Sequence, residues 1–138
     1  MVWRFLKRTN TGSGDRLDTG RIGEQWCVEF LKKKGYKIVE RNFRCRYGEI
    51  DVVARDGDTL VFIEVKTRRS RGFGLPKDSL DARKKRRIIT ASMNFLRKAA
   101  VVDPSLQECP VRFDVVGIEL GQGGYAVEHI QNAFEVEE

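Results

Sequence analysis

Glu49, Asp51, Glu64 and Lys66 stand in a stretch that otherwise reads as buried sheet, "GEIDVVARDGDTLVFIEVKTR" from Gly48 to Arg68. Two apolar, β-branched runs flank an Asp-Gly pair, the signature of a hairpin. With Asp56 and Gly57 at the centre of the turn, Glu49 faces Glu64 and Asp51 faces Phe62. Side chains alternate with period two, so Glu49, Asp51, Phe62, Glu64 and Lys66 share one face, while Ile50, Val52, Val61, Ile63 and Val65 share the other. Asp51 and Glu64 become diagonal neighbours, roughly 7–8 Å apart at the backbone. A three-residue turn with a bulge would shift this register by one.

Carboxylates gathered on one face repel, by up to about 1 kcal/mol for like charges directly opposite, and burial adds a desolvation cost. Oxygen donors without His or Cys suit a hard divalent cation, Mg²⁺ or Mn²⁺. Such a site, with the Lys66 ammonium beside it, orients and deprotonates a water and offsets charge on a phosphate. The competing reading is an exposed hairpin face carrying a cross-strand salt bridge from Lys66 to Glu49 or Asp51.

The elements around the hairpin follow from periodicity and breakers. Residues 1–18 are polar, with Thr-Gly-Ser-Gly among them, and read as a loose arm ahead of one domain over 19–138. Ile22, Trp26 and Phe30 recur every four residues, with Cys27 and Leu31 beside them, which predicts a helix from Thr19 to Lys34 ended by Gly35. "YKIVERNFRC" predicts a first strand, irregular at Asn42. Glu49–Ala54 and Thr59–Lys66 are the second and third. "RRSRGFGLP" is a glycine-rich loop, expected to be mobile. Lys77 to about Ala100 predicts a long helix with Leu80, Ile88, Ala91, Phe95 and Ala99 inward. Arg112–Leu120 is another strand, and Tyr125–Ile130 a last one. The layout is single-domain α/β.

Charge is unevenly spread. The 138 residues carry a net +6, yet Glu64 to Lys98 alone holds 12 Lys and Arg against 3 Asp and Glu. The remainder holds 14 bases and 17 acids. A local excess on an otherwise acidic chain fits a surface facing a polyanion; a solvated helix face would look the same. Arg83, Lys84, Lys85, Arg86 and Arg87 on the long helix, with Arg68, Arg69 and Arg71 beside the glycine loop, are candidate nucleic-acid contacts. Such contacts position a backbone without reading sequence. Lys84, four residues from both Leu80 and Ile88, sits on the inward edge, able to reach the acidic site or a phosphate, or to snorkel. Phe73 in the loop could stack on bases or anchor the loop. His129, the single histidine, has no evident partner and reads as structural, which argues against Ser-His-Asp or zinc chemistry. Cys27, Cys45 and Cys109 lack zinc-type spacing and read as reduced thiols. No apolar run approaches the roughly 20 residues of a membrane-spanning helix, and the start has no signal-peptide stretch. The expectation is a cytoplasmic protein with no membrane contact.

Asp51 followed by Glu64-Val65-Lys66 resembles the PD-(D/E)XK nuclease superfamily. The wider run "GRIGEQWCVEFLKKKGYKIVERNFRCRYGEIDVVARDGDTLVFIEVKTR", then "DARKKRRI", resembles the YraN-like family of small bacterial proteins, similar to archaeal Holliday-junction resolvases, over about residues 19 to 120. The resemblance implies an αβββαβ core, a mixed sheet flanked by helices. It implies that Asp51 and Glu64 bind Mg²⁺ or Mn²⁺ and that Glu24, in the "GE" of the first helix, supplies a further ligand. A carboxylate in that first turn is also simple dipole compensation. It implies that Lys66 positions or deprotonates the attacking water or stabilises the transition state. The motif's Pro is absent, with Ile50 before Asp51. The function expected is metal-dependent endonucleolytic cleavage of DNA, branched or otherwise structured, since no base-reading motif is present. Paired cuts on two strands would need a homodimer. The alternatives are a non-catalytic nucleic-acid-binding module of the same fold in a repair or DNA-processing complex, and an RNA-directed enzyme, which shares every charge feature.

Overall fold

A computed structural model describes residues 2–4, 16–69, 80–121 and 123–136. The elements run β1 (Val2–Arg4), α1 (Arg16–Lys33), β2 (Lys37–Cys45), β3 (Gly48–Asp56), β4 (Thr59–Arg68), α2 (Ala82–Val102), β5 (Val111–Gly121) and β6 (Gly124–Phe134). They build one mixed sheet in the order β1-β6-β5-β4-β3-β2, with β4 and β5 parallel and every other pair antiparallel. The chain passes through α2 between the two parallel strands, as a parallel pair requires a long crossover.

Each helix covers one face of the sheet. Cys27, Val28, Phe30 and Leu31 of α1 pack with Val52, Ala54, Val61, Ile63, Val116 and Ile118. Ile88, Ala91 and Phe95 of α2 pack with Ile50, Val53, Leu60, Phe62, Phe113 and Val115 on the opposite face. β4 therefore contributes alternate residues to two cores. Full burial of side chains of this size contributes about 1.5–3 kcal/mol each.

The αβββαβ order is the one expected, with differences at the ends. Val2–Arg4 pair with Val127, Ala126 and Tyr125 as an edge strand, and α1 begins at Arg16; the rest of the arm lies outside the described residues. Gly35 ends α1 with φ of 93°, while Tyr36 N–H donates to Leu31 O at 2.9 Å. This is a left-handed close that favours glycine. The long helix starts at Ala82, where the Asp81 carboxylate accepts from Lys84 N–H at 2.8 Å and caps it; Lys77, the start expected from the sequence, lies outside the described residues. β6 continues to Phe134, beyond the Ile130 expected.

The hairpin register also differs. The turn is Gly57-Asp58, with Gly57 at φ 59° and Asp56 opposite Thr59. Pairing is two residues away from the expected one: Val52 faces Ile63, and Val53 faces Phe62. A shift of two leaves every side chain on its face. The face assignment fails at one place. Ile50 packs with the α2 core while Val52 packs with the α1 core. Alternation breaks at Asp51, and Asn42 on the neighbouring strand, between the pairs Arg41–Val52 and Phe43–Ile50, sits at φ 53°.

His129 does have partners. Its Nε2 lies 2.7 Å from Asp114 Oδ2, and its Nδ1 lies 2.9 Å from Lys34 Nζ. Arg112 donates to both Asp114 oxygens, to Asp56 and to Tyr36 Oη, and Asn132 N–H donates to Asp114 Oδ1 at 2.9 Å. Burial alone would raise Asp114; the hydrogen bonds from His129, Arg112 and Asn132 outweigh it and hold its carboxyl below the ordinary range. This network locks β3, β5 and β6 together and fits the structural role expected of the histidine.

Candidate functional site

The acidic residues meet where β3 and β4 part. The ladder is regular up to Val52 and Ile63. One residue further, the Asp51 carboxylate Oδ2 accepts the Val65 N–H at 2.8 Å. The side chain takes a bond that a strand partner would otherwise fill, which fixes the carboxylate at the fork and against Glu64. Burial, then the charge of Glu64, then that of Glu24, push Asp51 up to about 8, with the Val65 N–H pulling the other way.

Glu64 and Lys66 follow on the α2 side of β4. Lys66 pairs along its own strand, Nζ to Glu64 Oε1 at 3.6 Å, and Glu49 pairs with Arg44 at 3.5 Å. Lys66 therefore makes no bridge across the hairpin to Glu49 or Asp51, and Glu49 pairs across to β2 instead. A second ammonium enters from α2: Lys84 Nζ lies 3.0 Å from the same Glu64 oxygen. Glu64 is thus held between two lysines, its side chain only 11% exposed. Burial lowers Lys66 below the usual lysine range, and Lys84 beside it adds to the effect. Burial would lower Lys84 too, but its bonds with Lys66 and Glu64 keep it above that range.

Glu24 approaches from α1 because Gly23 lets the helix touch β4. A Cβ on Gly23 would lie 2.6 Å from Thr67 Cγ2 and 2.7 Å from its Cβ, and closer still to Oγ1. Only glycine fits that contact. Glu24 Oε1 is buried and has no hydrogen-bond partner. Burial pushes the Glu24 carboxyl up, Glu49 adds to this, and Arg41 and Asn42 oppose it.

Two clefts meet at the fork. One, of about 610 Å³, is lined by Thr19, Gly20, Glu24, Asp51, Glu64, Val65, Thr67 and Arg69. The other, of about 470 Å³, is lined by Arg44, Cys45, Gly48, Glu49, Asp51, Glu64, Lys84, Arg87 and Ile88. Asp51 and Glu64 belong to both. All the donors are oxygen, a set of the kind that suits Mg²⁺ or Mn²⁺, and the orphaned Glu24 oxygen and the crowded Asp51–Glu64 pair are groups whose charge a cation would offset. Among the described residues, however, no group of three or more His, Cys, Asp or Glu is arranged to hold a metal ion. Asp51 and Glu64 are brought together; Glu24 shares their cleft without closing the set.

The basic residues divide. Arg69 Nε donates to Thr19 Oγ1 at 2.6 Å, tying the end of β4 to α1, and Arg68 is half-buried on β4. Arg71 and Phe73 lie outside the described residues. Lys85 Nζ sits 5.9 Å over the Phe134 ring, turned toward β6. Arg83, Arg86 and Arg87 are exposed. At 100° per residue, Arg83 and Arg87 share a side of α2, and Arg87 lines the second cleft together with Lys84. Sequence reasoning missed Arg44 as a lining residue, the Asp51–Val65 bond and the approach through Gly23; the Gly before Glu24 was the available signal for the last.

Among the described residues no helix is long and apolar enough to cross a membrane. Residues 23–118 match the family described as Uncharacterised protein family UPF0102. A UPF0102 protein of Syntrophus aciditrophicus is 45% identical over 120 residues, covering 87% of this chain and 91% of its own. One from Geotalea uraniireducens is 45% identical over 128 residues, covering 90% and 97%. Among solved structures, Pyrococcus furiosus SfsA in complex with Ca²⁺ aligns at TM-score 0.40 and 15% identity, covering 88% of this chain and 66% of that one. The hairpin, the basic segment and α1 from Gly23 onward lie inside the matched region, and the chain belongs to the YraN-like family UPF0102.

Proposed function

We propose that the protein is a metal-dependent endonuclease that hydrolyses phosphodiester bonds in DNA, branched or otherwise structured. The observation that carries this reading is the fork itself: Asp51, fixed by the Val65 N–H, meets Glu64 and leads to Lys66 at the junction of two clefts. Asp51 and Glu64 would hold Mg²⁺ or Mn²⁺, with Glu24 as a further ligand. When bound, the ion would supply an acidified water and offset charge on the phosphate. Lys66 lies beside Glu64 and would position or deprotonate the attacking water or stabilise the transition state; burial lowers its affinity for its own proton, which favours the free amine that a base requires. Arg87 and Arg44 line the α2-side cleft, Arg83 stands one turn before Arg87 on α2, and the three would hold the backbone there, where they position the strand without reading bases. A symmetric dimer would supply two such sites for paired cuts.

A second reading is a non-catalytic nucleic-acid-binding module. Lys84 on Glu64 favours it, because a lysine already neutralises the acid. Thermal melts separate the two. A native-state ligand stabilises by about 2.7 kcal/mol at one hundred times Kd. On the nuclease reading, melting temperature rises with Mn²⁺, and Asp51→Asn melts at least as high as the parent in EDTA yet loses most of the metal response. On the binding-module reading, the parent ignores Mn²⁺ and Mg²⁺.

A further inference from the structure

We propose that Lys84 is a latch on the metal site: in the metal-free protein its ammonium occupies the electrostatic place of the cation at Glu64, and cation binding releases it. This rests on the metal reading above. Three observations carry it. The Lys84–Glu64 contact, at 3.0 Å, is shorter than the 3.6 Å contact to Lys66, the motif's own lysine. Lys84 comes from a different element than the rest of the row, so the contact ties α2 to β4 at the fork. The Glu64 side chain is 11% exposed and that of Lys84 40%, so the lysine has solvent into which to withdraw while the acid does not.

The physical consequence is competition. A cation reaching Asp51 and Glu64 meets a positive charge already bonded to one ligand. It must break that bond and then tolerate the ammonium nearby. The same bond relieves the Asp51–Glu64 repulsion while no cation is present. Lys84 therefore has opposite effects in the two states, stabilising the empty site and weakening the loaded one. Once released, it lies in the cleft bordered by Arg44 and Arg87, where its charge joins theirs.

The test is Mn²⁺ binding by calorimetry, with melting in EDTA as a second readout, on the parent, Lys84→Met, Lys84→Arg and Arg97→Met. Lys84→Met should bind Mn²⁺ more tightly, on the order of tenfold from the loss of a unit charge at short range, and should melt lower than the parent in EDTA. Lys84→Arg keeps the charge and should stay near the parent in both. Arg97→Met, an exposed charge further along α2, should move neither. If the parent binds Mn²⁺ and Lys84→Met binds it equally or more weakly, the latch is wrong and the metal site stands. If the parent and every variant fail to bind Mn²⁺, the metal reading is wrong and the latch goes with it.

Discussion

Asp51 is the residue on which the site turns. The ordinary value for its carboxyl is 3.8, and burial beside Glu64 pushes it up to about 8. Between those two values the native chain keeps a proton that the unfolded chain has released. Stability therefore falls as pH rises across that window. In EDTA the melting temperature should drop between about pH 5 and about pH 8, and Asp51→Asn, which has nothing to titrate, should flatten the drop. A cation needs the ionised carboxylate, so Mn²⁺ binding near neutral pH should expel about one proton. Calorimetry in buffers of different ionisation enthalpy reads that number directly. Binding with no proton release would mean that Asp51 is already ionised and not crowded by Glu64. None of this was visible in residue types alone. The sequence brought Asp51 and Glu64 to one face, but the bond to Val65 N–H depends on the ladder stopping at Val52.

At the scale of elements, α2 carries two surfaces, and the five consecutive bases do not act alike. Lys84 turns to Glu64, Lys85 turns to Phe134, Arg87 lines the cleft with Lys84, and Arg83 stands one turn before Arg87. Replacing Arg83 or Arg87 with Ala should each lower the slope of log K against log salt for DNA binding by roughly 0.9. Lys85→Ala should leave the slope unchanged. Equal effects from Lys85 and Arg87 would place the backbone on a different side of the helix. Helix period and apolar spacing made α2 and its inner residues legible, because Ile88, Ala91 and Phe95 obey a rule that needs no partner. The same spacing could not say where Lys84 and Lys85 point, since that depends on β4 and β6, which are distant in sequence. The hairpin shows the same division. Asp-Gly marked the turn, but which two residues occupy its centre rested on whether Asp56 or Asp58 took the corner, and the structure gives Gly57-Asp58. The irregularity expected at Asn42 is present, and it turned out to matter for Ile50 and Asp51 rather than for its own strand alone.

At the scale of the molecule, the fold separates stability from chemistry. The Arg112–Asp114–His129 network closes the sheet near the C-terminal end of α1, while Glu24, Asp51 and Glu64 gather toward its N-terminal half. One region is fully bonded. The other holds a buried oxygen with no partner, a displaced carboxyl equilibrium and two lysines on one acid, the uneven distribution expected of a functional site. The α/β layout and its αβββαβ order could be read from element periods; the His129 network could not, because its members are spread from Lys34 to Asn132. That the fork cuts DNA is the central proposal. It is tested most directly by incubating the purified parent and Glu64→Gln with branched, linear and single-stranded DNA in Mn²⁺, Mg²⁺ or EDTA, while measuring binding in parallel. The parent should cleave with a divalent cation, most strongly on branched DNA and not at all in EDTA, and Glu64→Gln should bind DNA without cutting it. No cutting of any DNA by the parent with either cation, or equal cutting by Glu64→Gln, would contradict it.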